Sequence, residues 1–160
     1  MFTFLRRFAF RRPAQPRERA LWLLRSGRPA EAETLLGELA AAPELDATDR
    51  AFLLNKRGVA RIALGRAHDA REDFEAALAL DPAHVPAIVN LGNLSLEGGD
   101  VAAAISQYER AIALDPDYAP AHLNLGAAYK RCGRFADGVR ELRLAQRLEG
   151  RRRAAPTSRL

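Results

Sequence analysis

One pattern recurs along this chain at a fixed step of 34 residues. Gly58, Gly92 and Gly126 stand one step apart, as do Phe74, Tyr108 and Leu142, then Ala77, Ala111 and Ala145, then Leu80, Leu114 and Leu148. Self-similarity at this period marks a stacked array, in which one unit cannot bury its own apolar face and needs neighbours. Such a chain is expected to work by binding rather than by catalysis. Composition agrees with an all-α array. Of the 160 residues 48% are apolar, mostly Ala and Leu, with β-branched residues sparse and Gly and Pro set at intervals.

Each regular unit reads as two helices around a tight turn. Between Val85 and Tyr118, Leu91, Leu94 and Ser95 recur at helical spacing, Gly98 and Gly99 break the pattern, and Asp100 offers an N-cap to the second helix. Asp81-Pro82 and Asp115-Pro116 punctuate the chain, since Pro lacks an amide donor and disfavours helix in the residue before it. Gly65 and Gly133 mark the equivalent turns. Gly92 and Ala104 are small enough to let paired helices approach, while Tyr108 and Leu114 fill the wider gap towards the next unit.

The run Val89-Asn90-Leu91-Gly92-Asn93, followed by Gly98-Gly99-Asp100, Ala104, Tyr108, Ala111 and Asp115-Pro116, is similar to the consensus of the tetratricopeptide repeat family. The resemblance covers units 51–84, 85–118 and, with departures, 119–150. It implies an all-α helix-turn-helix solenoid, a right-handed superhelix whose concave face binds protein segments. Residues 17–50 read as a divergent fourth unit or amino-terminal cap. There Leu21, Trp22 and Leu24 form one stripe, Gly27 breaks the helix, and Ala32, Leu35, Leu36 and Leu39 form another. A longer loop, Pro43 to Asp49, stretches the spacing to the next unit to 38. Segments 1–16 and 151–160 remain as a basic, aromatic leader and an Arg-rich tail.

Departures from the family pattern carry expectations of their own. Arg57 and Arg61 occupy places that the family fills with Leu and an aromatic, so their stems are expected to pack while the guanidinium groups reach solvent. In the last unit Gly138 replaces the close-packing Ala, Leu142 the aromatic and Gly150 the terminal Pro, which predicts a looser unit. The helix near Phe135 to Leu148 is expected to leave Val139 and Leu142 on an uncapped face, with Arg-rich coil after it. That face is open to a second copy of the chain, another protein or the folded-back tail.

By the resemblance, the groove is lined by Phe52, Asn55 and Val59, by Val89, Asn90, Asn93 and Glu97, and by Leu123, Asn124, Ala127, Lys130 and Arg131. The candidate peptide-binding residues are Asn55, Val89, Asn90, Asn93, Leu123, Asn124, Lys130 and Arg131. Asn90 and Asn124 lie one period apart, and each amide offers donors and an acceptor to an extended backbone. This resembles the asparagine ladder of O-linked N-acetylglucosamine transferases. The competing reading is that these amides bond between helices. A carboxylate clamp for heat-shock chaperone tails is disfavoured, because Val59, Pro120 and Asn124 occupy places that the clamp fills with Asn, Lys and Arg.

The net charge of +5 belongs to the ends. Residues 1–20 hold six Arg against one Glu, and residues 150–160 hold four Arg. The body between keeps 15 basic and 19 acidic side chains, a net of −4, so the array is not built to neutralise phosphates and nucleic acid is an unfavoured partner except through the Arg-rich tails. In the amino segment Phe2, Phe4, Phe8 and Phe10 interleave with Arg6 and Arg7, a mixture suited to peripheral membrane contact. No apolar run is long enough to span a bilayer. The lone Cys132 excludes an intrachain disulfide and points to a reducing compartment, the cytoplasm, with docking at the inner face of a membrane as the alternative. Arg131 and Arg134 flank it, yet no nucleophile partner sits at helical spacing. His68, His84 and His122 are scattered over three units without metal-ligand spacing and are expected to be solvated or half-buried. No catalytic motif, cofactor or metal is expected.

Overall fold

Glycine chemistry sets the rhythm of the chain. The computed structural model describes residues 13–154. Within them only Gly27, Gly65, Gly99 and Gly133 hold positive φ, from 69 to 89°, a region that a side chain makes costly. Each sits in the same hydrogen-bonded C-cap. The amide after the glycine donates back five residues, Arg28 to Leu23, Arg66 to Arg61, Asp100 to Ser95 and Arg134 to Tyr129, at 2.8–3.0 Å.

These four turns divide the eight helices of the described residues into four antiparallel pairs: α1 (Pro16–Arg25) with α2 (Pro29–Ala40), α3 (Ala47–Ala63) with α4 (Ala67–Leu80), α5 (Val85–Glu97) with α6 (Val101–Leu114), and α7 (Ala119–Arg131) with α8 (Phe135–Ala154). The described residues contain no strand. Asp100 caps α6 as its sequence implies, its Oδ1 accepting the Ala103 amide at 2.9 Å, and Asp46 does the same for α3 through Asp49 at 2.8 Å.

Inside a pair, an aromatic ring lies on a glycine. A Cβ added to Gly92 would stand 2.6 Å from Cε1 of Tyr108, and one added to Gly58 would stand 2.5 Å from Cε1 of Phe74. Both rings are buried, at 0% and 1% exposure. The core is a series of clusters, each closed by the first helix of the next pair. Ala20, Leu23, Leu36 and Leu53 join α1, α2 and α3. Phe74, Ala77, Ala87 and Leu91 join α4 to α5. Ile88, Tyr108, Leu125 and Tyr129 join α5 and α6 to α7.

Three expectations are corrected here. In the amino-terminal pair the buried side chains of α1 are Ala20 and Leu23, whereas Leu21, Trp22 and Leu24 are half-buried, so the stripe is rotated from the one expected. The last pair is not loose. With no side chain at Gly126 or Gly138, the backbones of α7 and α8 meet so closely that a Cβ on Gly138 would lie 2.8 Å from the Gly126 carbonyl oxygen. Finally, Arg151, Arg152 and Arg153 are helical rather than coil. Gly150 stands where the other units have proline, so nothing stops α8, which runs on to Ala154.

Candidate binding site

The first helix of each regular pair contributes to one face of the array. Between α3 and α5 this face holds a cavity of about 120 Å³ bounded by Val59, Ile62, Phe74, Asn90, Asn93, Leu94 and Glu97. Val59 is 37% exposed at its mouth. Thus the structure brings Asn90 and Asn93, with Val59 and Glu97, to a single concavity.

The asparagine amides also stitch units together. Asn90 Nδ2 donates to Asn55 Oδ1 at 2.9 Å, and Asn124 Nδ2 donates to Asn93 Oδ1 at 2.8 Å. The same Asn93 oxygen accepts the Tyr108 hydroxyl at 2.8 Å. Burial, with the charge of Glu97 adding to it, pushes the Tyr108 hydroxyl up to about 12, so it remains a donor throughout the neutral range. On the three amides that are not buried, three groups stay unused among the described residues: Asn90 Oδ1, Asn93 Nδ2 and Asn124 Oδ1.

Two candidate residues leave the open face. Asn55 is 1% and Val89 4% exposed, because their position in the unit is covered by the first helix of the following pair. Leu123 holds the same position one period after Val89 and is 53% exposed, since among the described residues no helix follows α8. Lys130 and Arg131 are exposed. Arg131 Nη1 donates to the Leu96 carbonyl at 2.8 Å, a cation at the carboxyl end of α5, where the helix dipole favours it. The proposed membrane residues Phe2, Phe4, Phe8, Phe10, Arg6 and Arg7 lie outside the described residues.

The guanidinium groups of Arg57 and Arg61 do not reach for solvent. Both turn onto Asp73 of α4, which is 2% exposed. Arg57 Nε donates to Oδ2 at 3.0 Å, and Arg61 Nη1 stands 3.0 Å from Oδ2. Arg61 Nε also pairs with Glu33 Oε1 of α2 at 2.9 Å, and Arg66 Nη1 reaches Glu33 Oε2 at 2.9 Å. A polar clasp therefore stands where the family pattern has an apolar contact between α3 and its neighbours. Its bond to Asp73 raises the Arg57 pKa further. Sequence reasoning missed Asp73 and Glu33. The available signal was a pair of arginines four residues apart on the buried side of a helix, which implies a carboxylate across from them.

His122 is buried too, at 4% exposure, against the expectation of a solvated or half-buried ring. Its Nδ1 lies 2.8 Å from Glu141 Oε2 and its Nε2 lies 2.9 Å from the Pro116 carbonyl oxygen, which ties α7 to α8 and to the preceding loop. His68, Asp69 and Glu72 come within 4.8 Å of one another at the exposed start of α4, closer than sequence spacing suggested. The Asp69 carboxylate is already bonded by Arg66 Nε at 2.6 Å. Cys132 Sγ donates to the Tyr129 carbonyl at 3.3 Å, a purely local contact. No described helix is long and apolar enough to cross a membrane.

Family models of the TPR repeat and of the tetratricopeptide repeat match residues 92–133 and 61–106. The chain carries tetratricopeptide repeats. The fold is also similar to solved structures. MamA 41-end from Desulfovibrio magneticus RS-1 superposes with a TM-score of 0.66 at 28% identity, covering 84% of this chain and 74% of that one. Another MamA crystal structure gives 0.68 at 23% identity, over 86% and 78%. The second TPR domain of human RPAP3, solved with an HSP70 peptide, gives 0.61 at 20% identity, over 71% and 91%. No curated protein matches the sequence. These likenesses make the chain an all-α tetratricopeptide solenoid.

Proposed function

We propose that this protein is a non-catalytic scaffold that holds an extended segment of another protein against the concave face at α3 and α5. The observation that carries the reading is the cavity walled by Val59, Ile62 and Leu94 and rimmed by Asn90, Asn93 and Glu97. Its 120 Å³ is the share of about four waters, room for one aliphatic side chain. The amide groups left unused by the interhelix bonds, two acceptors and one donor, match the alternating needs of an extended backbone. The peptide complex of human RPAP3 supports the same use of the fold. Chaperone tails are not the expected ligand, because Val59, Pro120 and Asn124 replace the clamp residues.

The test is a selection of random dodecapeptides displayed against the intact chain, followed by fluorescence anisotropy with Val59→Glu and Glu97→Lys. Both sites are exposed, so the thermal melt should not move while affinity changes by about tenfold or more. Selected peptides indifferent to both substitutions would refute the reading.

A further inference from the structure

We propose that the open end of the solenoid, between α7 and α8, is a docking slot for a helix of a partner protein that carries carboxylates along one edge. The slot is a groove of about 610 Å³ whose floor includes Ala119, Leu123, Leu142 and Ala145, with Gln146, Glu149 and Arg153 on its rim.

One period back, the same surface is occupied. The residues 34 positions earlier are Val85, Val89, Tyr108, Ala111 and Ile112, and all five belong to the cluster that α7 closes with Ala121, Leu125, Ala128 and Tyr129. Occupancy is what separates Val89, 4% exposed, from Leu123, 53% exposed. Val139 at 41% widens the bare apolar surface along α8. The slot is thus shaped for a helix, with small residues where a close approach is needed.

The rim states the chemistry of the occupant. In the occupied copy, Tyr129 of the incoming helix donates its hydroxyl to Glu109 Oε1 at 2.8 Å. One period on, Glu109 becomes Arg143, and Ile112 becomes Gln146. Arg143, Arg147 and Arg153 are exposed and make no ion pair among the described residues. Of the acidic residues of α8, Asp137 is held by Arg134 and Arg140 and Glu141 by His122, which leaves Glu149 alone against the three arginines. Arg143 and Arg147 line the adjoining groove beside Val139, so a helix seated as α7 is meets there a cation where α7 met the Glu109 carboxylate, and the edge it turns to Arg143 is acidic.

A second copy of the chain fits poorly. The buried apolar residues of α1 to α6 are already engaged by their neighbours, and α8 laid against α8 would set Arg143 and Arg147 of both copies in one seam.

The probe is a helix-stabilised synthetic peptide with the sequence of residues 118–131 of this chain and the change Tyr129→Glu, compared with the same peptide carrying Tyr129→Lys. Binding to the full chain is read by fluorescence anisotropy at low salt. The acidic peptide should bind at least about tenfold tighter than the basic one. Arg143→Glu in the chain should reverse that order with an unchanged thermal melt. No binding by either peptide, or a preference that ignores Arg143→Glu, overturns the proposal. So does concentration-dependent dimerisation in sedimentation velocity that Arg143→Glu abolishes, because the occupant would then be a second copy. Competition by a dodecapeptide sensitive to Val59→Glu would also overturn it, since the two peptides would share the concave site.

Discussion

Removing the carboxylate at the centre of the clasp, by Asp73→Ala, leaves two arginines of α3 facing each other across a buried gap. Asp73 is 2% exposed, and the side chains of Arg57 and Arg61 are 24% and 16% exposed. Breaking one partner out of a buried ionic group costs about 3–5 kcal/mol. Here the lower end applies, because Arg61 keeps Glu33 at 2.9 Å and Arg57 can relax towards water. A loss of about 3 kcal/mol corresponds to a fall in Tm of about 6–12 °C for a chain of this length. The informative control replaces the whole group. Arg57→Leu, Arg61→Tyr and Asp73→Leu together restore an apolar seam, and exchange of a buried ionic cluster for well-packed apolar groups is commonly neutral or stabilising. Urea unfolding followed by circular dichroism should therefore rank the single variant well below wild type and the triple variant near it. If Asp73→Ala costs under about 1 kcal/mol, or if the triple variant is as weak as the single, the reasoning fails: the clasp would be a solvated surface pair or an irreplaceable one.

Glycine contacts give a second contrast. Gly92→Ala drives a Cβ to within 2.6 Å of the buried Tyr108 ring and should cost about 1–3 kcal/mol in urea unfolding, whereas Gly150→Ala meets nothing within 4 Å on a helix and should be neutral or stabilise by up to about 1 kcal/mol. A pH dependence follows from His84, whose ring is 12% exposed and whose Nε2 has no partner among the described residues. Burial lowers its pKa from 6.5, the Lys56 charge adds to that, and Asp81 opposes it. The unfolded chain therefore binds the proton more readily. Its contribution is complete above a pH of about 6.5 and is lost as the pH falls through the lower folded value. The urea midpoint should drop on acidification from a pH of about 7.5 to about 5.5, and His84→Gln should flatten that drop.

The repeat, its turns and its pairing were legible because each rests on local chemistry. Glycine at φ above 0, an Asp N-cap and Asp-Pro punctuation act within a few residues, so their spacing survives in the sequence. The concave cavity was half legible. Asn90, Asn93, Val59 and Glu97 could be placed by period, but Asn55 and Val89 could not be told from groove residues, because what hides them is a helix more than 30 residues away. The clasp was illegible for a related reason. Arg57 and Asp73 are 16 residues apart and Glu33 lies in another pair, so two charges at apolar positions read as solvent-facing when their partners came from two different helices. The tightness of the last pair was misread because each glycine was weighed alone, whereas Gly126 and Gly138 act as a facing pair.

Packing in this protein runs mainly from each helix to the next, with α5 and α7 the further pair in substantial contact. A chain wired in this way behaves as a short ladder rather than a globule. Its native contacts close small loops, which favours folding in microseconds to milliseconds, and its rungs can let go from either end without the middle. The clasp alters that order at one place. By joining α2 through Glu33 to α3 and α4 through Arg61 and Asp73, it makes the first two pairs part company with the array as one block, while α7 and α8, held to the preceding pair by neutral and rim contacts such as Asn124 to Asn93, form the end that frays alone.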